Sequence, residues 1–145
     1  MTNVTVTNDT GYLAVARTRN HTWYADETIE SGGTNTAPDP MEELLGALGG
    51  CVAITVRGYA TRKNWPLEKI EVYLNIERFK ASEYPGYQGD AQFVHEVREK
   101  IVLHGPLDET QHARLLEIAT KCPVRRVLTT PVFFIETDQQ PVSES

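Results

Sequence analysis

The chain is poor in cysteine, with two in 145 residues, and it holds no long run of any single character. Two cysteines are too few for the disulfide framework of a secreted domain, so a reducing compartment, the cytoplasm, is expected to keep both as thiols. No basic run occurs. A formal net charge of -6 and a pI near 5.2 argue against nucleic acid or an anionic membrane surface as a partner, because either would select a basic face. The opening Met1-Thr2-Asn3-Val4 is no charged leader ahead of an apolar core, and no stretch reads as the roughly 20 apolar residues that span a bilayer. Internal repeats and low-complexity segments are also missing. The length suits one domain with a core of its own, residues 1–145. Within it, a β region and loop occupy 1–38, a central helix 39–63, and a second sheet, second helix and last strand 64–145.

What is there begins as β. Residues 3–7 alternate polar and apolar, and Gly11–Arg19 followed by His21–Asp26 reads as a hairpin turning near Asn20. Glu30–Pro40 has a loop composition. Asp39 before Pro40 is a helix start: a side-chain oxygen caps the free amides and proline suits the first helical position. The helix is expected over residues 40–62. Leu44, Leu48, Cys51, Thr55 and Gly58 recur at spacings of 4, 3, 4 and 3, which puts Cys51 on one stripe. Glycines at 46, 49, 50 and 58 cost up to about 1 kcal/mol each against alanine, so they imply close packing of a buried central helix.

After Trp65-Pro66, which is placed as a plug on the helix end, Ile70, Val72, Leu74 and Ile76 alternate with polar residues as a half-buried strand. Residues 80–91, with Tyr84 and Tyr87, form a long hairpin loop at what could be a pocket rim, and Gln92–His104 resumes as a strand with Phe93, His95, Val97, Ile101 and Leu103 inward. Asp108 and Gln111 form a capping pair for a second helix carrying Leu115, Ile118, Ala119 and Cys122 on one face. Pro123 breaks or bends that helix, and Pro131–Glu136 reads as a last strand. The layout is α+β, with two antiparallel sheet segments separated by the central helix. A lone cysteine on an apolar helix face is ordinarily a small core residue. Two inward-facing thiols that the fold can bring together are, however, the minimum equipment for thiol redox chemistry.

Pro40-Met41-Glu42 followed by Gly49-Gly50-Cys51, then Cys122-Pro123-Val124, in this order of elements, resembles the OsmC/Ohr superfamily (osmotically inducible protein C and organic hydroperoxide resistance proteins), nearest its OsmC-like branch. The resemblance covers most of the chain and is best over 38–57 and 115–129. It implies an intertwined homodimer whose Cys-bearing central helices lie between shared antiparallel sheets. It also implies reduction of organic hydroperoxides: Cys51 attacks the peroxide, Cys122 resolves the sulfenic acid, and an external dithiol restores both thiols. No cofactor is implied, and a metal site from Cys51, Cys122 and His95 has no ligand spacing behind it. His21, His104 and His112 read as surface residues.

A thiol of ordinary pKa, about 8.5, is mostly protonated at neutral pH, and Cys51 lies beyond the first helical turn where the dipole acts. The resemblance assigns activation to an arginine from the amino-terminal hairpin and a glutamate ahead of the helix. Arg17 and Arg19 both qualify, with Arg17 favoured, and Arg125 or Arg126 beside Cys122 could replace either. The family's glutamate position, ten residues before the cysteine, is Met41 here. Glu42 and Glu43 are the candidates, Glu42 reaching an arginine if the first turn frays. In a regular helix they lie about 180° and 80° from Cys51. The alternative reading is a non-enzymatic dimer that binds a small apolar molecule in an interface pocket.

Overall fold

The computed structural model describes residues 1–137. The alternating start forms a three-stranded antiparallel sheet of β1 (Thr5–Thr7), β2 (Ala14–Thr18) and β3 (His21–Ala25), in that spatial order. Thr18 pairs with His21, leaving Arg19 and Asn20 as the turn. Arg19 takes φ +49°, the positive region that two-residue hairpins use. Of these strand residues only Ala16 is buried. Next to β3, Asp26 is 2% exposed and ties the following loop together. Its carboxylate accepts from the Thr34 and Thr36 hydroxyls at 2.5 and 2.9 Å and from the Glu27 and Thr36 amides at 2.8 and 3.1 Å. Its own amide donates to the Pro38 carbonyl at 3.0 Å, so the loop is fastened just ahead of the helix start.

Helix α1 runs Pro40–Arg62, as the capping signals predict. Asp39 accepts from the Met41 and Glu42 amides at 2.8 and 2.9 Å, and the Glu42 carboxylate returns to the Asp39 amide at 3.0 Å, closing a capping box. At the other end Asn64, at φ +55°, lets Asn64 N–H reach Thr61 O and Trp65 N–H reach Ala60 O, a left-handed stop that satisfies the last carbonyls. Trp65 then meets Tyr59 edge-on, with ring centroids 5.5 Å apart.

β4 (Lys69–Lys80) and β5 (Phe93–His104) form a two-stranded antiparallel sheet in register Lys69↔His104 through Lys80↔Phe93. A 3₁₀ turn at Ala81–Glu83 opens their connection. Tyr84 donates to Glu96 at 2.8 Å, and the Tyr87 hydroxyl accepts from the Ala91 amide at 3.2 Å, so both tyrosines order this loop. Gly105, at φ +128°, passes so close to the Pro66 carbonyl that a Cβ would overlap it. α2 (Glu109–Ala119) starts with a second capping box, Asp108 with Gln111, and Arg114 joins it to α1 through Tyr59 Oη at 3.1 Å.

The core is the contact of α1 with the sheet and α2. Leu48, Val52, Val56 and Ala60 pack with Leu67, Leu115, Ala119 and Cys122, flanked by Ile70, Val72, Ile101 and Leu103. The buried line on α1 thus follows i, i+4 through Val52 rather than the expected stripe through Cys51, Thr55 and Gly58. Cys51, 100° round from Val52 in a regular helix, is left half-buried at its flank.

The structure corrects several expectations. α2 ends at Ala119, and a separate helix α3 (Pro123–Thr129) follows with Cys122 as its cap. Proline does more than break a helix; it opens one. The expected strand 131–136 is irregular through residue 137, with Phe133, Phe134 and Ile135 at least 85% exposed, because no sheet edge of this chain receives it. Phe93, His95 and Val97 face the helix side but stay exposed, since the hairpin projects past the part of the sheet that α1 covers. Only Gly49 answers the close-packing argument, with Leu74 Cδ1 3.1 Å from a would-be Cβ, whereas Gly46 and Gly50 meet nothing within 4 Å. α1 also contains an 18-residue window of mean hydropathy 1.3, which makes it long and apolar enough to cross a membrane, contrary to the sequence expectation. Its face through Ala47, Gly50 and Ile54 is exposed.

Candidate active site

The site is built where α1 meets the break between α2 and α3. Cys122 precedes proline, which disfavours the helical region, and it takes φ −58°, ψ 131°. The chain turns there and restarts as α3, with Pro123 at the first position. The Cys122 sulfur accepts from the Arg125 amide at 3.4 Å. This turn drives the side chain into the core, where Cys122 has no exposed surface and half-buried Cys51 packs against the cluster that contains it. Two thiols 71 positions apart in sequence thus meet, both unoxidised. Burial first, and the hydrogen bond with Cys51 second, push the Cys122 thiol up; the Arg125 amide opposes them. Cys122 is therefore held as a protonated thiol, while Cys51 is half-buried.

A cavity of about 260 Å³ has a wall that includes Leu48, Val97 and Leu128 with Arg125, Glu99, His95 and Thr129. A second, of about 360 Å³, shares Leu48, Val97 and Leu128 and extends along Met41, Leu44 and Ile76. Two lining residues of the first cavity tie it to the cysteines: Leu48 lies one turn before Cys51 on α1, and the Arg125 amide donates to the Cys122 sulfur. Arg125 Nη1 lies 3.3 Å from Glu99 Oε1, and the Glu99 side chain is 17% exposed.

Of the residues singled out from sequence, Cys51 and Cys122 are brought together and Arg125 joins them through its backbone. Arg17 and Arg19 are exposed on the amino-terminal sheet, which has no extensive packing against α1 of its own chain. Glu42 is engaged by the capping box on the far side of α1, Glu43 is half-buried, and Arg126 is exposed. Glu99 is the residue that sequence reading missed. Alternation along β5 places it inward between Val97 and Ile101, and a carboxylate in such a row is the signal that could have found it. Among the described residues, no group of three or more His, Cys, Asp or Glu side chains is arranged to hold a metal.

No curated protein matches the sequence. Among solved structures, the fold matches a putative osmotic stress induced and detoxification response protein from Psychrobacter arcticus at TM-score 0.70 and 19% identity, over 88% of each chain. An OsmC-like protein from Mycoplasma pneumoniae matches at 0.70 and 18%, over 88% of this chain and 86% of that one. A putative organic hydroperoxide resistance protein from Vibrio cholerae, with captopril bound in one of its active sites, matches at 0.60 and 17%, over 89% and 84%. Likeness at these identities is likeness of fold. The model of the OsmC-like protein family itself matches residues 33–136, a span containing α1, both cysteines and α3. With its fold, its two-thiol meeting point and that match in agreement, the chain belongs to the OsmC-like family of the OsmC/Ohr superfamily.

Proposed function

We propose that the protein reduces organic hydroperoxides to alcohols by a two-cysteine cycle, drawing electrons from an external dithiol in a reducing compartment, the cytoplasm. The observation that carries this reading is the packing of half-buried Cys51 against the core cluster that holds buried Cys122, a cluster whose Leu48 also lines a cavity. The Cys51 thiolate attacks the terminal oxygen of the peroxide. An S–O bond forms, the O–O bond breaks, and the alkoxide leaves and takes a proton from water. Cys122 then attacks the Cys51 sulfur, the S–S bond forms, and the sulfenic oxygen departs as water with the Cys122 proton. The external dithiol reduces that disulfide and is itself oxidised to one.

The thiolate needs a cation. Arg17 lies on a sheet that does not cover its own α1, so we assign the Arg17 that activates Cys51 to a second copy in an intertwined homodimer. The bare α1 face and the unpaired edges of β4 and β5 are surfaces such a partner would cover.

Turnover of cumene hydroperoxide with dithiothreitol tests the cycle. Cys51→Ser should abolish turnover; Cys122→Ser should retain one reduction event and a sulfenic acid that dimedone labels. Steady-state activity at the wild-type level in Cys51→Ser would end this reading. The second reading, a non-enzymatic dimer that binds an apolar ligand, draws on the apolar cavities and on the commitment of Glu42 to the helix cap. It predicts binding of an apolar fluorescent probe with no peroxide consumption.

A further inference from the structure

Arg125 and Glu99 form an ion pair in a cavity wall completed by Leu48, Val97 and Leu128 together with His95 and Thr129. Glu99 occupies an inward position of β5, opposite Leu74 and two residues from Ile101, where the alternation calls for an apolar side chain. A half-buried carboxylate in such a row is costly unless paired, and its partner is the residue whose amide holds the Cys122 sulfur. Arg125 therefore fixes the resolving thiol with its backbone and presents a guanidinium to the cavity with its side chain. One Nη1 is oriented by Glu99, and guanidinium carries five N–H donors in all, so donors remain for a ligand in a space lined by Leu48, Val97 and Leu128.

We propose that Arg125 is a catalytic residue that donates a hydrogen bond to the substrate oxygen bearing the organic group, where negative charge develops as the O–O bond breaks, and that Glu99 positions it. This rests on the peroxidase reading above. It differs from thiolate activation: Arg17 acts on the attacking sulfur, Arg125 on the leaving oxygen. Leu48, Val97 and Leu128 hold the organic group, so the substrate class is an alkyl or aryl hydroperoxide, whose apolar part gains from leaving water where hydrogen peroxide has none to bury.

The experiment compares two reactions of Cys51 in the same variants at one pH: single-turnover reduction of cumene hydroperoxide, and alkylation by iodoacetamide, which has no leaving alkoxide. Arg125→Met should lower the peroxide rate by about 10- to 100-fold and change alkylation by less than about threefold. Arg125→Lys should recover part of the loss by restoring charge. Arg125→Met with Glu99→Gln removes both charges, so neither is left unpaired; it should fold and should lose no more than Arg125→Met alone, because Glu99 acts through Arg125. A peroxide rate in the folded double variant within twofold of wild type overturns the role of Arg125 while leaving the peroxidase intact. Equal loss in peroxide reduction and alkylation also overturns it, since that would place Arg125 on the thiolate. A wild-type protein that reduces no organic hydroperoxide would end the peroxidase reading itself, and this role with it.

Discussion

At the scale of single residues, the fold spends its buried charge in two ways. Asp26 is satisfied by hydroxyls and amides of its own loop, which hold its carboxyl below the ordinary carboxylate range, with the Thr34 hydroxyl the largest cause. The sign follows from linkage: the folded state prefers the ionised form, so the stabilisation is full above the ordinary value of 3.8 and is lost as pH falls below it. Asp26→Asn, with one acceptor oxygen for donors that now use two, should melt lower at pH 7 and should flatten the fall of Tm between pH 4 and 2. A variant whose Tm follows pH in parallel with wild type would remove Asp26 as the cause. Glu99, by contrast, is balanced by one cation, Arg125, that also lines a cavity. Asp26 has the geometry of a structural knot, and Glu99 that of a working pair.

At the scale of elements, α1 is the part of the chain whose sequence and surroundings disagree within one copy. Its caps are well formed, yet Gly46 and Gly50 lie on open surface, where alanine would favour the helix by up to about 1 kcal/mol each. If this face were bare in solution, Gly50→Ala would raise Tm. With a second α1 seated on it, as the proposed dimer requires, the added methyl should instead lower Tm and weaken assembly, because a close helix contact leaves no room for it. Thermal unfolding of Gly50→Ala reads the sign directly, and a clear rise would remove α1 from the interface. The split of the expected second helix into α2 and α3 belongs to this scale too. The Pro123 signal was visible, but its two meanings, stop and start, differ only in what precedes and follows, and here they coincide.

For the whole molecule, the amino-terminal sheet and the long hairpin each expose more backbone edge and apolar surface than a self-sufficient fold leaves bare. Val6 and Tyr24 on the sheet and Tyr73 on the hairpin are all at least 49% exposed. Sedimentation should give about twice the 16.3 kDa of one chain, and the dimer should dissociate only on unfolding. A stable monomer at micromolar concentration would refute the assembly and, with it, the placement of Arg17. In the dimer, Arg17→Met should slow iodoacetamide alkylation of Cys51 at pH 6 to 7 as the thiol returns toward its ordinary pKa of about 8.5, and Arg19→Met should do so less. The reverse order would exchange the two arginines.

The sequence by itself determined what depends on neighbours along the chain. Asp39-Pro40 placed the start of α1, Asn64 stands where it stops, Asp108 and Gln111 set the cap of α2, and alternation set the inward row of β4. Spacing also singled out Cys122 as inward-facing, which it is, and Cys51, which is only half-buried. Only the tertiary structure decided what depends on contacts across the chain: that both cysteines join one core cluster, that Cys51 sits at the flank of the buried line while Cys122 lies inside it, and that Arg125 reaches Glu99 from an element 26 residues away. Periodicity reports which face of an element is apolar, but the depth of a residue and the identity of its partner follow from how far the neighbouring element extends. That is why Phe93, Val97 and residues 131–136, apolar in pattern, remain uncovered in a single chain.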